Sequence, residues 1–241
     1  MFSTRRSRPI VAIDGPAASG KSTTARAVAD ALGFQHIDTG ALYRAVTLLA
    51  LERPEPPVRW RAEDLVASLS ARGLSLVREA GTRTLGVAVQ GTSVAESLRS
   101  EAVTREVSRV AAMGPVRDFV NRLIRDAVPD GGVVLDGRDI GTAVFPDAEV
   151  KVFLVAEPDE RARRRLAEHG RAPDLKSVRA EAESLVRRDA RDASRDVAPL
   201  ARAPDAALLD TTALSFEQQV RAIVDLVKRR SPSLDRTRSE G

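Results

Sequence analysis

Residues 15–22 read Gly-Pro-Ala-Ala-Ser-Gly-Lys-Ser. Gly15, Gly20, Lys21 and Ser22 satisfy the spacing G-x-x-x-x-G-K-[ST], which has a mechanical reason. Glycines let successive backbone N–H groups converge on phosphate oxygens. The lysine reaches the β and γ phosphates, the serine hydroxyl is a hard ligand for Mg²⁺, and the helix that follows turns its positive end to the anion. The expected triphosphate cradle is therefore Gly15, Pro16, Ala17, Ala18, Ser19, Gly20, Lys21, Ser22 and Thr23, with Lys21 as catalytic cation. Such a loop needs a strand before it and a helix after it. Ile10 to Ile13 is a short apolar run ending in Asp14, and Ala25, Val28, Ala29 and Leu32 recur at helical spacing before a stop at Gly33.

The chain beyond repeats this alternation. Phe34 to Ile37 reads as a second strand, followed by Asp38-Thr39-Gly40 and a helix through Leu51 that Pro54, Pro56 and Pro57 terminate. A short helix, Ala62 to Leu69, precedes two runs, Leu74 to Arg78 and Thr84 to Gln90. In the second, Leu85, Val87 and Val89 alternate with Gly86 and Ala88, which predicts a small antiparallel insert with a half-exposed face. Helical pattern returns from Glu101 to Val128, broken near Gly114-Pro115. Val133 to Leu135 and Val150 to Val155 read as buried strands, the first ending in Asp136-Gly137. Asp159 to Glu168 is an arginine-dense helix, Lys176 to about Ser194 a longer one, and Ala206 to Leu209 a last strand. Ser215 opens a final helix with Gln218 placed for a capping box and a stripe of Phe216, Val220, Ile223, Val224 and Val227. The polar tail from Ser231 is expected to be disordered. Strands alternating with helices predict an α/β fold with a largely parallel central sheet.

The composition narrows the function. The chain has 241 residues, 43% hydrophobic and 3% aromatic, and no cysteine, which excludes disulfides and thiolate metal sites. No apolar run approaches the roughly 20 residues of a membrane helix, and Met1 to Arg8 lacks a signal-peptide core, so a cytoplasmic protein without a membrane partner is expected. The net charge of +4, carried mainly by arginine, fits either nucleic acid or a polyanionic small molecule. One Trp and one Tyr are few for stacking platforms. A GTPase would want an Asn-Lys-x-Asp motif, and none is present.

Further polar groups point to a second anionic ligand. Asp38-Thr39-Gly40 with Tyr43-Arg44, and Asp136-Gly137-Arg138-Asp139, follow predicted strands, and loops at the carboxyl ends of parallel strands meet in one crevice. Arg188, Asp192 and Arg195 share a helix face if the helix persists that far, while Val178, Ala182 and Leu185 take another. Taken alone, that charged face reads better as a solvated, salt-bridged surface, since charged helix faces are mostly just solvated.

Together these pieces resemble the bacterial cytidylate kinase family from about Ile10 to Lys228. The carrying segments are Ile13-Asp14-Gly15-Pro16, Asp38-Thr39-Gly40-Ala41-Leu42-Tyr43-Arg44, Asp136-Gly137-Arg138-Asp139-Ile140-Gly141-Thr142, Phe145-Pro146-Asp147-Ala148, Arg188-Asp189-Ala190-Arg191-Asp192 with Arg195, and Ala198-Pro199-Leu200. The resemblance implies a three-layer P-loop NTPase fold with a central parallel sheet, a small antiparallel NMP-binding insert, three-stranded and fitted by residues 74–99, and a helical lid. Its divisions would be a core at 9–57, the insert at 58–100, the core continued at 101–230 with the lid at about 157–175, and the tail at 231–241. It implies transfer of the γ-phosphoryl group of ATP to CMP or dCMP by a monomer that needs Mg²⁺ and has no nucleic-acid partner. By position, Arg44, Arg138 and Arg195 resemble the clamp on the acceptor phosphate, and Arg188 and Asp192 the ribose contacts. Thr39, Ser108, Arg117 and Asp139 resemble the cytosine-reading set. Arg161, Arg164 and Arg165 resemble catalytic lid arginines, acting with Lys21 and Arg138, while Ser22 would bind Mg²⁺ and Asp136 hold its water shell. The alternatives are a kinase of UMP, dTMP or shikimate and, from another class, a nucleic-acid-binding P-loop ATPase.

Overall fold

The computed structural model describes residues 6–231, so the expectation for the tail falls, Ser231 apart, outside the described residues. β1 (Ile10–Asp14) is buried at every position, as suits an inner strand of a parallel sheet. Its side chains alternate between two apolar clusters, Ile10 and Ala12 on one face, Val11 and Ile13 on the other. The phosphate loop leads into α1 (Lys21–Leu32), which ends at Gly33 in the left-handed conformation, φ 69°. There follow β2 (Gln35–Asp38), α2 (Thr39–Leu51), a 3₁₀ turn at Pro57–Arg59, α3 (Ala62–Ala71), β3 (Leu74–Arg78), β4 (Leu85–Val89) and β5 (Thr92–Ser93). A second 3₁₀ turn, Ala95–Arg99, precedes α4 (Glu101–Val110), α5 (Gly114–Asp126), β6 (Val133–Gly137), a π-helical turn at Ile140–Val144 and β7 (Val150–Val155). The chain closes with α6 (Pro158–Glu168), α7 (Leu175–Ala193), β8 (Ala207–Asp210) and α8 (Phe216–Arg230).

The main sheet has five parallel strands in the order β2-β6-β1-β7-β8. One face packs on residues of α2 to α5, including Leu42, Val46, Val107 and Val120. The other packs on Ala25, Val28 and Ala29 of α1 and on Ile223 and Val227 of α8. The three-layer α/β fold read from the sequence is therefore observed. β1 lies in the middle, so the phosphate loop leaves the sheet between β6 and β7, where a crevice opens at the strand ends. Among the described residues no helix is long and apolar enough to cross a membrane.

The small sheet has the three antiparallel strands that the resemblance implies, in the order β3-β4-β5. Other local expectations change. β4 is the middle strand of that sheet and approaches β2 and α2, so Ala88 is buried along with Val87 and Val89, and the alternation does not mark a half-exposed face. The break between α4 and α5 falls at Ala111–Met113. Gly114 and Pro115 begin α5, where the missing N–H of proline costs nothing. The Ser215–Gln218 capping box forms, but Phe216 is 44% exposed. Gln219 points inward instead, its amide bonded to Thr24 and to the Leu214 carbonyl. α7 ends at Ala193, so Arg195 lies beyond the helix.

Candidate active site

Backbone conformation shapes the loop first. Gly15 has φ 151°, and a Cβ there would stand 2.1 Å from the Leu154 carbonyl oxygen of β7. Only glycine fits. Lys21 begins α1 with its side chain buried, and its ammonium donates to the Pro16 carbonyl and to Ser19 Oγ at 3.3 Å. Burial, and then the neighbouring Arg138 charge, pull its pKa down to about 7. Ser22 Oγ donates to Asp136 Oδ2 at the end of β6, so the hydroxyl and the carboxylate expected near Mg²⁺ are in contact. Thr39 Oγ1 donates to the Asp136 carbonyl at 2.8 Å, which leaves only its lone pairs for a ligand. Asp38 caps α2 through the Ala41 N–H.

Across the crevice, Asp192 is a hub. Arg138 Nε donates to its Oδ2 at 3.0 Å, while Arg195 Nη2 and Ser108 Oγ reach its Oδ1. Arg138 Nη1 also donates to the Gly15 carbonyl at 3.1 Å, joining the hub to the phosphate loop. Arg188 lies beside these groups, and burial together with the Arg138 charge lowers its pKa to about 10. Its buried Nε has no hydrogen-bond partner among the described residues. Arg44 donates to the Leu98 carbonyl at 3.1 Å and Thr104 Oγ1 at 3.0 Å, and burial lowers its pKa as well. Guanidinium groups gathered at this density lose hydration and repel one another, which is the electrostatic signature of a polyanion site. Arg117 and Asp139 form a buried ion pair beside the hub. Arg117 Nη1 donates to the Ala111 carbonyl, and its guanidinium lies 5.3 Å from the Tyr43 ring centroid. Burial pushes the Asp139 carboxyl up, against the pull of Arg117, Arg195 and Arg138.

The arginines of α6 are engaged elsewhere. Arg161 is buried, donating to the Ala17 carbonyl at 3.0 Å and to Asp189, whose other oxygen accepts the Ala17 N–H at 2.9 Å. Arg164 holds the Thr211 carbonyl at 2.7 Å and its Oγ1 at 3.1 Å, and Arg165 pairs with Glu181 at 3.0 Å. Arg161 thus bonds the phosphate loop directly, Arg164 Nη1 lies beside Gly20 of that loop while bonding Thr211, and Arg165 contacts α7.

Residues 11–229 match the family model described as cytidylate kinase. The chain is 44% identical over 228 residues to the cytidylate kinase of Chlorobaculum tepidum, covering 91% of this chain and 93% of that one. It is 47% identical over 227 residues to that of Salinibacter ruber, covering 91% and 96%. The chain belongs to the cytidylate kinase family. The cytidylate kinase of Geobacillus kaustophilus is a further relative, 45% identical over 223 residues, with coverage of 91% and 96%.

In this cytidylate kinase family member the site also uses residues to which sequence reading assigned no role. Asp14 is buried and accepts the Ile140 and Gly141 N–H groups, both at 2.8 Å, anchoring the turn that carries Arg138 and Asp139. Burial raises its pKa to about 6 although both hydrogen bonds act the other way. In sequence it is an acid closing an apolar strand, inside a segment that carries the resemblance but with no role attached. Asp189 clamps the phosphate loop, and it too lies in such a segment with no role attached. His36, wholly buried against Asp136, carried no signal at all. Among the described residues no group of three or more His, Asp or Glu converges as a metal site. Ser22 and Asp136 supply two hard oxygens, which suits a Mg²⁺ whose remaining ligands are phosphate and water.

Proposed function

We propose that the crevice at the carboxyl ends of β1, β6 and β7 transfers the γ-phosphoryl group of ATP to the phosphate of CMP or dCMP, giving ADP and CDP or dCDP. The observation that carries this reading is Arg138, which bonds at once to the Gly15 carbonyl of the phosphate loop and to the Asp192 hub. A group so placed faces both the donated and the accepting phosphate. The acceptor phosphate is already an oxyanion near neutral pH, so no strong general base is required. Catalysis is then positioning and charge neutralisation.

In this reading Lys21 leaves the Pro16 carbonyl for the β and γ phosphates. Gly15, Pro16, Ala17, Ala18, Ser19, Gly20, Ser22 and Thr23 complete the cradle. Arg44, Arg138 and Arg195 clamp the acceptor phosphate, and Arg188 and Asp192 hold the ribose. Asp139 accepts from the exocyclic amine of cytosine, Arg117 donates to the ring carbonyl and nitrogen, and Thr39 and Ser108 flank the base. Uracil carries a carbonyl in place of that amine, so a carboxylate there repels it. Ser22 and Asp136 would hold Mg²⁺, which when bound neutralises charge on the phosphates. The insert at 58–100 closes over the acceptor, and the lid at 157–175, with Arg161, Arg164 and Arg165, closes over the donor and excludes water. The enzyme works as a cytoplasmic monomer without nucleic acid. The gathering of Arg44, Arg138, Arg188 and Arg195 in one crevice supports a small polyanion rather than nucleic acid as the ligand.

A coupled assay of ADP release with CMP, dCMP, UMP, dTMP and shikimate tests the reading. CMP and dCMP are expected to exceed the others by at least about tenfold, since one unmet hydrogen bond in a buried site is worth that much or more. Equal or better turnover with UMP overturns the cytosine assignment. ATP hydrolysis stimulated by DNA or RNA would favour the nucleic-acid ATPase instead.

A further inference from the structure

A line of hydrogen bonds runs from the small sheet to the phosphate loop through a residue that the mechanism above does not use. His36 on β2 is fully buried, with Nε2 2.9 Å from Asp136 Oδ1 and Nδ1 3.3 Å from Thr84 Oγ1. The other oxygen of Asp136 accepts from Ser22. An ionised carboxylate only accepts, so the hydrogen on Nε2 points at Asp136. The Thr84 hydroxyl can donate or accept, so it satisfies Nδ1 whichever way that nitrogen is occupied. The backbone reinforces the seam: the His36 N–H donates to the Arg83 carbonyl at 3.0 Å, and His36 and Thr84 form an isolated parallel bridge between the two sheets.

The Asp136 side chain needs such a partner. The terminal torsion of an aspartate is broad and roughly two-fold, so its rotamer alone does not set the plane of the carboxylate. A donor held rigidly on Oδ1 does set it and leaves Oδ2 facing Ser22. Any buried histidine needs a partner for each ring nitrogen; what is particular here is that the partner of Nε2 is the carboxylate whose other oxygen accepts from Ser22.

We propose that His36 is a positioning residue for phosphoryl transfer: it orients Asp136 toward Ser22 and the phosphate loop, and Thr84 lets the small sheet set that orientation. The proposal rests on the reading of Ser22 and Asp136 as the Mg²⁺-facing pair. Binding of ADP is measured by calorimetry with Mg²⁺ and with EDTA, beside kcat and KM for ATP and CMP and a thermal melt, for His36→Leu, His36→Gln and Thr84→Val. Removing the partner of a metal-facing group typically costs 10–100-fold. His36→Leu is therefore expected to lower kcat by about that factor and to weaken ADP binding about tenfold with Mg²⁺ while leaving it unchanged in EDTA, with KM for CMP within about twofold. His36→Gln, which keeps an amide donor toward Asp136, restores most of both. Thr84→Val shows a smaller loss of the same kind. Equal loss of ADP binding with and without Mg²⁺, or a folded His36→Gln as defective as His36→Leu, overturns the proposal. If His36→Leu does not fold, Thr84→Val decides: a Mg²⁺-specific loss supports the line, and unchanged binding overturns it. A wild-type enzyme inactive on CMP would sink the functional reading while the Mg²⁺-dependent ADP difference still reported on His36.

Discussion

Two buried carboxylates, Asp14 and Asp139, bracket the turn that carries Arg138. Asp14 spends both oxygens on backbone N–H groups. Asp139 shares one with Arg117. Their substitutions should therefore fail differently. The Asp14 carboxyl rises from its ordinary 3.8 to about 6 in the folded protein, with burial as the largest cause. Between those values the folded chain keeps a proton that the unfolded chain has lost. The contribution of this group to stability is complete below the lower value and is lost as pH rises through the upper one. Asp14→Asn cannot titrate and sets an amide donor against a backbone donor. It should be less stable than wild type at pH 4, and the gap should narrow by up to about 3 kcal/mol by pH 7. Urea denaturation across that range checks this, and a constant gap would show that Asp14 is not shifted. Asp139→Ala removes the proposed base reader and leaves Arg117 buried and unpaired, a loss of about 3–5 kcal/mol, so a melt must accompany the kinetics. Its kcat/KM should fall at least about tenfold more with CMP than with UMP, as expected when a hydrogen-bonding site loses its partner. Equal losses would show that Asp139 does not read the base.

Helices α6 and α7 form a unit with a small apolar cluster of their own, Ala162, Leu166, Val178, Ala182 and Leu185, which meets the phosphate loop at Ala17. Asp189 and Arg161 fasten that unit to the loop backbone. Asp189→Ala would orphan the Ala17 N–H and leave Arg161 buried without its charge partner. We expect a loss of about 3 kcal/mol in stability and a KM for ATP that rises several-fold while KM for CMP stays nearly constant. A uniform rise in both would mean that the unit does not serve the donor side. The pattern of α6 was legible as an arginine-dense helix, but the partner of each arginine was not. Arg161, Arg164 and Arg165 look equivalent in sequence, and only the packing of α6 decides that Arg161 clamps Ala17 while Arg164 holds Thr211 and Arg165 pairs with Glu181.

The whole molecule combines a five-stranded parallel core with two attachments, the small sheet and the α6–α7 unit, on either side of the crevice. Strands β1, β6 and β7 are buried nearly throughout and should already exchange their amides slowest. Hydrogen exchange with ADP, CMP and Mg²⁺ should therefore gain protection in β3 to β5 and in α6 and α7, with little change in β1, β6 and β7. Gain confined to the phosphate loop would remove the closure part of the mechanism. The backbone bridge between His36 and Thr84 ties the small sheet to β2, and Leu74, Val87 and Val89 share the apolar core of the main sheet, so protection in the insert should be lowest away from that seam.

The strand–loop–helix order and the phosphate-loop motif were legible because they depend on local chemistry, whereas the residues proposed for the acceptor were singled out by the family resemblance. Glycine spacing, apolar periodicity and motif residues act over a few positions, and the chain records them directly. Gly15 shows the limit: its place in the motif is readable, but the contact with Leu154 that forbids a side chain joins β1 to a strand far along the chain. His36 has no local pattern, and the motif segments that contain Asp14 and Asp189 do not say what these residues hold, because each acts on a partner brought near by sheet order or helix docking. Burial works in the same way. Folding desolvates Lys21, Arg188 and Asp139 together in one crevice, and the shifts of their proton affinities come from that shared loss of water and from one another's charges.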